Sequence, residues 1–567
     1  MQSRDPTSVF LSAKALMLLQ EQHGLFPRIL GKGEYAKRLA DLLVRMRGES
    51  TAGKNSRNNS LLPSATIDSL VIIDRSADFA TPLLTQLTYE GLLDETFSIT
   101  NAQVEVSTSI VGAAPSAPAA AASTSAAPST ATAGPLRRKI QLTPADPLYS
   151  TLRKSSISLI GPLLNRTARR LQTDFSLPQA KGQSVAELRD FVSKLPGYQS
   201  EQASLKVHTA LAEEVLKQTR IDTFTKTLEV QQNVVAGTDP ASLTELVEEL
   251  IARDLPLETV LRLLCLESVV AGGLRSKDLE SMKRLVVQAY GYQHLVTLAA
   301  LEKMGLLIAA KGGGGVAAGL GLSSYLPSVG LGGGSATSAS TSASKRSNGS
   351  NGRVNNAASA STAAEQTNYT QLRAPLSLIL DDVDEANPND IAYAYSGYAP
   401  LSVRLLQCVL QKPLLGALAK TATTGASARK AGAPATLTPE EAATMHSDPG
   451  LGWKGSEDVL RHVKGPTVDV TQGPGVDDAA GKTRQGLMAG GGQGQGQGTG
   501  QKTTVVFFLG GVTYSEVAAV RLLARQIGGG ESSDGSPGRR VLMMTTGMLN
   551  GAGMVGAAIK TSAARKI

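Results

Sequence analysis

Only two cysteines, Cys265 and Cys408, occur in a chain of 567 residues, which excludes a disulfide framework and a cysteine-rich zinc site. Both lie in leucine-rich stretches and read as buried free thiols, the usage of a reducing compartment. The five histidines, His23, His208, His294, His446 and His462, are scattered without metal-ligand spacing, so no metal is implied. Aromatic residues make up 4% of the chain, and Gly, Ala, Ser and Thr dominate several long tracts. No run of about 18 apolar residues is present, and the first residues hold no charged segment leading into an apolar one. The expectation is a soluble intracellular protein that meets membranes peripherally, through partners. The formal charge of +8 comes from 56 basic and 48 acidic residues, a mild excess with no dense stripe, so nucleic acid is not an expected partner. The strongest basic run, Pro135-Leu136-Arg137-Arg138-Lys139, reads as a solvated flank.

Catalytic motifs are missing too. No G-x-S-x-G elbow occurs. Val506-Phe507-Phe508-Leu509-Gly510-Gly511 resembles the start of a dinucleotide fingerprint, but Val512, Thr513, Tyr514 and Ser515 follow where the third glycine would be needed. Gly510 and Gly511 therefore read as structural, allowing close helix–strand packing. Two near-misses to a phosphate-binding loop, around Lys482 and Lys502, have wrong spacing and follow no strand. Asp74, Arg75 and Asp78 lie at the carboxyl end of a strand, where α/β enzymes place catalysts. An Asp-Arg neighbour pair there reads more simply as a structural ion pair holding the loop and helix start. No cofactor is implied.

What is present is an interrupted α/β pattern. Two helices open the chain, one behind Asp5-Pro6 with apolar face Val9, Ala13, Leu16 and Met17, and one over 34–47 with Ala36, Leu39, Leu43 and Met46. Leu70 to Ile73 fits a buried strand, and Thr81-Pro82 reads as cap and first residue of a leucine-rich helix. Residues 1–100 form the first part of an α/β unit, and 101–134, rich in Ala, Ser, Pro and Thr, is expected to be disordered. Residues 135–310 show helical periods only. Capping boxes stand at Ser184 with Glu187 and at Ser242 with Glu245, and the first of these helices is closed by Pro196-Gly197. Further disordered insertions are expected over 311–364, 415–447 and 467–501. They separate 365–414, where the helical region ends and the sheet unit resumes, and a sheet-unit segment at 448–466. A terminal strand–helix–strand occupies 502–567, with strands at 505–509 and 541–546. The fold class is thus α/β, a parallel-sheet domain interrupted by a large inserted all-helical domain.

The block IDRSADFATPLLTQLTYEGLLDE, from Ile73 to Glu95, closely resembles the most distinctive segment of the Sec/Munc (SM) family of vesicle-fusion regulators. VFLSAKALMLLQEQHG, FVSKLPGYQSEQASLKVHT, SGYAPLSVRLLQ and VVFFLGGVTYSEVAAVRLL match other family blocks, and the low-complexity tracts fall between them. Within the family the wording is most similar to the vacuolar branch. That family begins with a further α/β domain, and the resemblance implies that this first domain is missing here.

The resemblance implies no enzymatic activity and no cofactor. It implies binding of SNARE helices, syntaxin-type and R-type, and promotion of their assembly at late endosome and vacuole (lysosome) membranes. Membership of the HOPS and CORVET tethering complexes follows, with vacuolar protein sorting-associated protein 16 as direct partner. The physical basis would be an amphipathic helix laid on exposed helices of the inserted domain. Leu188, Phe191, Leu195, Pro196, Tyr198 and Leu205 bracket a helix–turn–helix in the part similar to the SNARE-binding region. Leu188, Phe191 and Leu195 also fit a plain core, and Tyr198 beside the Pro196 turn is the expected exposed contact. Tyr369 and Leu372 leave a featureless tract three residues apart, a spacing that fits either an anchor for the re-entering chain or a partner contact. Resemblance to a short Tyr-x-x-aliphatic segment assigns them to protein 16. The competing functions are a tethering scaffold without SNARE contact and a nucleotide-dependent α/β enzyme.

Overall fold

The computed structural model describes residues 6–52, 62–112, 137–176, 185–238, 240–310, 364–381, 383–419, 449–472, 502–528 and 539–564. Seven strands in two sheets are named among them. They are β1 (Arg28–Lys32), β2 (Ile67–Asp74), β3 (Gln103–Ser107), β4 (Arg137–Gln141), β5 (Thr467–Thr471), β6 (Thr503–Leu509) and β7 (Arg540–Thr545). The larger sheet has the order β5–β1–β2–β6–β7. Three of its four pairings run parallel, and in the fourth β5 lies antiparallel along β1. Val71 pairs with Leu30 on one side and Val506 on the other, and Ile73 with Lys32 and Phe508.

Strand alternation sends successive residues of β1, β2 and β6 to different cores. Ile29, Leu70, Ile72, Val505 and Phe507 pack with helices α1 (Thr7–His23) and α2 (Glu34–Ala52) through Leu16, Leu39 and Leu43. Leu30, Val71, Ile73, Val506 and Phe508 face a much larger helical core. Burial on both faces explains why β2 and β6 are near-continuous Val, Ile, Leu and Phe. Between β2 and β6 the chain forms α3 (Ala80–Leu83), α4 (Tyr89–Phe97), α5 (Thr108–Val111), α6 (Pro147–Leu152) and α7 (Ile157–Ser176). It continues through α8 (Val185–Thr219), α9 (Asp222–Ala236), α10 (Pro240–Ala252), α11 (Leu257–Val270), α12 (Ser276–Tyr290) and α13 (His294–Met304). Helices α14 (Tyr369–Arg373) and α15 (Leu401–Leu410) lead back to the sheet, and α16 (Tyr514–Gly528) and α17 (Gly551–Ala564) flank β7. The architecture is mixed α/β, with helices dominant over a parallel-rich sheet.

Several expectations need correction. The first block holds β1 between its helices, a five-residue strand whose Gly31 and Lys32 hide the strand pattern. The tract at 101–134 is ordered as far as 112. There β3 alternates Val104 and Val106 inward with Glu105 outward, and it pairs with β4. The basic run is therefore an antiparallel strand with Ile140 inward, and the inserted region is not wholly helical. Likewise Thr467–Thr471 is an edge strand rather than the start of a disordered tract, and Trp453 donates its indole N–H to Val468 O at 2.9 Å. Leu415 and Leu418 are buried, so order persists beyond 414. The remaining parts of the four tracts, 113–134, 311–363, 420–447 and 473–501, lie outside the described residues, as do Asp5 and Ser184.

Helix boundaries moved for local reasons. Thr81 does not cap a long helix; it sits inside the four-residue α3, and Thr88 caps α4 by accepting from Gly91 N. Pro240 opens α10, so Ser242 lies in its first turn and is no cap. Most consequentially, α8 runs through Pro196. The helix–turn–helix expected there is one continuous helix, since a single proline removes one backbone donor but leaves the hydrogen bonds on either side of it.

A buried polar joint as the candidate functional site

At the carboxyl end of β2, Asp74 is fully buried. Its Oδ1 accepts from Ser76 N at 3.0 Å and its Oδ2 from Tyr35 N at 2.9 Å, which ties the strand end to the first turn of α2. Burial raises its pKa, against the opposing pull of those amides and of Lys464. Gly33, at φ +113, has room for no side chain, because a Cβ there would lie 2.3 Å from the Asp74 Cβ. A Cβ on Gly465 would in turn meet Gly33 Cα at 2.7 Å. The crevice between the carboxyl ends of β1 and β2, where an open α/β sheet would hold a ligand, is thus filled by the protein's own chain.

One residue on, Arg75 points into the interior. Its Nε donates to Asp78 O at 2.8 Å, and its Nη1 donates to both carboxylate oxygens of Glu516 at 2.9 Å. The Nη2 lies 3.3 Å from Asp78 Oδ2, within ion-pair range. Burial alone would lower the guanidinium pKa, but Glu516 and Asp78 outweigh it and hold Arg75 more firmly charged than usual. Asp78 Oδ1 accepts from Thr81 N and from the Tyr369 hydroxyl, each at 3.1 Å. Its Oδ2 accepts from Thr81 Oγ1 at 2.5 Å and from Ser402 N at 2.9 Å. Glu516 Oε2 accepts from Thr513 N at 2.8 Å, and the Ser402 hydroxyl donates to Oε1. Tyr395 and Tyr398 complete the surround against Thr513 and Thr81.

The cluster joins segments around 75–81, 369, 395–402 and 513–516. Every one of them except 369 belongs to a block singled out in the sequence by its resemblance. Glu516 and Ser402 were not foreseen as members. A signal for Glu516 existed: Thr513-x-x-Glu516 is a capping box, and Glu516 N donates back to Thr513 Oγ1 at 3.1 Å. Gly510 and Gly511 stand at the end of β6 with φ of +100 and +105, so they serve a tight exit from the strand. A Cβ on Gly511 would approach Leu549 Cβ at 3.1 Å. The joint satisfies its charges internally and is closed to solvent, so it can hold the fold together but offers no reacting group to a substrate.

Tyr369 and Leu372 need a correction. Both are buried, at 2% and 0% exposure. The Tyr369 hydroxyl lies between Asp78 and Ala80 N, from which it accepts at 3.2 Å. Neither presents an exposed face in this structure, so burial favours the anchoring alternative over the expected contact with protein 16. The six residues expected to touch SNARE helices lie on α8. Pro196 is exposed, Leu195 and Tyr198 are half-buried, and the placements of the Leu188 and Phe191 side chains lie outside the description. Leu205 is half-buried and packs against the core formed by Tyr89, Leu92 and Tyr149. Farther along α8, His208, Leu211, Ala212 and Val215 are buried. The helix therefore has a buried carboxyl-terminal half and a more open stretch at 193–200.

An α/β sheet interrupted between adjacent parallel strands by a helical region, with a buried polar joint where the chain returns to the sheet, defines the architecture among the described residues. The Sec1 family model matches residues 2–557, and the chain belongs to the Sec1 family, as the sequence blocks implied. It is 32% identical over 547 residues to vacuolar protein sorting-associated protein 33A of Rattus norvegicus, covering 96% of this chain and 70% of that protein. It is 30% identical to vacuolar protein sorting-associated protein 33 of Schizosaccharomyces pombe, covering 97% and 72%. The crystal structure of the Unc18–syntaxin 1 complex from Monosiga brevicollis shares the fold, with a TM-score of 0.50 at 14% identity over 97% of this chain and 71% of that one. The family comprises non-enzymatic regulators of trafficking, and the chain is no enzyme. The match from residue 2 to 557 does not confirm the expected lack of a first domain. Among the described residues, no helix is long and apolar enough to cross a membrane.

Proposed function

We propose that this protein binds SNARE helices and promotes their assembly during fusion at late endosome and vacuole membranes, as a subunit of the HOPS and CORVET tethering complexes. The 32% identity to vacuolar protein sorting-associated protein 33A, spread over 96% of the chain, carries this reading. The open stretch of α8 supports it, since half-buried Leu195 and Tyr198 beside exposed Pro196 offer an apolar strip to an amphipathic helix. A template that orders one helix in advance lowers the entropy of pairing the next.

The test is binding of purified SNARE motifs, syntaxin-type and R-type, to the full chain and to Tyr198→Asp. The substitution should weaken binding roughly tenfold or more, about 1.4 kcal/mol, with the melting temperature unchanged. Full-strength binding by the folded variant would move the contact elsewhere on the protein. A wild-type chain that binds tethering subunits and no SNARE motif would make it a scaffold.

A further inference from the structure

A cleft of about 620 Å³ opens between the α6–α7 corner, the loop around 385–388 and helix α16. Its charge is one-sided: Arg153, Lys154, Arg166, Arg521 and Arg525 line it against the single carboxylate of Glu385. Glu385 is already engaged, accepting from the hydroxyls of Ser158 and Ser396. Of the five cations, Arg521 is paired, with its Nη1 2.8 Å from Glu90 Oε2. Arg153 lies over the Tyr149 ring, 5.9 Å from its centroid, and its buried Nε has no hydrogen-bond partner among the described residues. Lys154 is pushed toward neutrality, first by burial and then by Arg525, Arg153 and Arg521. A fold does not gather like charges around a concavity for stability, because each raises the cost of the next.

We propose that this cleft binds a compact polyphosphate of the inositol polyphosphate class, as a soluble molecule or as the headgroup of a phosphorylated phosphatidylinositol. The volume suits a small ligand, whereas a helix about 10 Å across would need an open groove. Guanidinium forks match phosphate oxygens in pairs, and three or more phosphates are needed to offset the excess of positive charge. The cations come from α6–α7 on one side and α16 on the other. A bound polyanion would therefore brace the helical region against the sheet.

Calorimetric titration of the full chain with inositol hexakisphosphate should give saturable one-to-one binding. The double substitution Lys154→Gln with Arg525→Gln should weaken it roughly tenfold or more, and Arg166→Gln, at an exposed position, serves if the double variant does not fold. Flotation with phosphatidylcholine vesicles containing a phosphatidylinositol bisphosphate separates the sources. Binding there in addition to the soluble ligand assigns a lipid headgroup, and binding of the soluble ligand alone assigns a free polyphosphate. The proposal is overturned by absence of saturable binding or by equal affinity of wild type and variants. Displacement by poly-glutamate as effective as by the phosphate, or equal flotation with phosphatidylserine vesicles of matched charge, would also overturn it.

Discussion

Arg75 and Glu516 stand 441 positions apart in the chain, yet the Arg75 Nη1 lies 2.9 Å from both carboxylate oxygens of Glu516, with both side chains buried. The pair ties the turn after β2 to the first turn of α16, the two ends between which the helical region is inserted. Isolated in an apolar interior, either charge would be prohibitively costly. Together, and with Asp78, Ser402 and Thr513 as further partners, they make closure of the sheet conditional on correct return of the chain.

Removing one member should therefore cost far more than removing both. Arg75→Met is expected to destabilise the protein by about 3–5 kcal/mol, because Glu516 and Asp78 remain buried without their cation. Arg75→Met combined with Glu516→Gln should recover part of that loss. Urea denaturation followed by circular dichroism reads the difference, and equal losses for the single and double variants would contradict the coupling.

Tyr369 gives a graded test of anchoring. Tyr369→Phe keeps the buried ring and loses the hydroxyl between Asp78 and Ala80, so a loss of about 1–3 kcal/mol is expected. Tyr369→Asp places a second carboxylate beside Asp78 and should prevent folding. If the aspartate variant melts like wild type, Tyr369 is accessible and the partner role returns.

A third expectation concerns acid. Asp146 caps α6 through Leu148 N and holds α8 through Ser204 and through His208 Nε2 at 3.3 Å. Burial raises its pKa, but the bonds from His208 and Ser204 outweigh that and hold the carboxyl at about 2, below its ordinary value of 3.8. Since the folded pKa is depressed, the stabilisation is present above the unfolded value and is lost as pH falls from about 4 toward 2. Asp146→Asn should flatten this part of the stability profile and lower stability at neutral pH. Thermal melts of both proteins from roughly pH 2 to roughly pH 7 check it, from about the folded value to about three units above the unfolded one.

Much of the framework was legible because local patterns there agree with the fold. The apolar runs of β2 and β6 and the helical faces of α1 and α2 each carry a pattern that burial on a sheet face or helix stripe imposes. The strands that escaped reading, β1, β3, β4 and β5, are each five residues long; β3, β4 and β5 carry exposed polar residues beside their buried ones, and in the buried β1 Gly31 and Lys32 break the apolar run. Proline stopped the reading of α8 too early, because a chain with helix formers on both sides can lose one hydrogen bond and continue.

The sequence by itself determined the family, the absence of a catalytic motif, and the alternation of sheet and helical blocks, all properties carried by neighbouring residues. Only the tertiary structure decided which distant residues meet. Asp74, Arg75 and Asp78 were visible as a charged turn, but their partners Glu516, Ser402 and Tyr369 come from segments hundreds of positions away. Burial of Tyr369 and Leu372, the continuity of α8 through Pro196, and the cluster of five cations around one cleft are likewise consequences of packing. Charge and burial act through space, and spacing along the chain does not encode the distance across a fold.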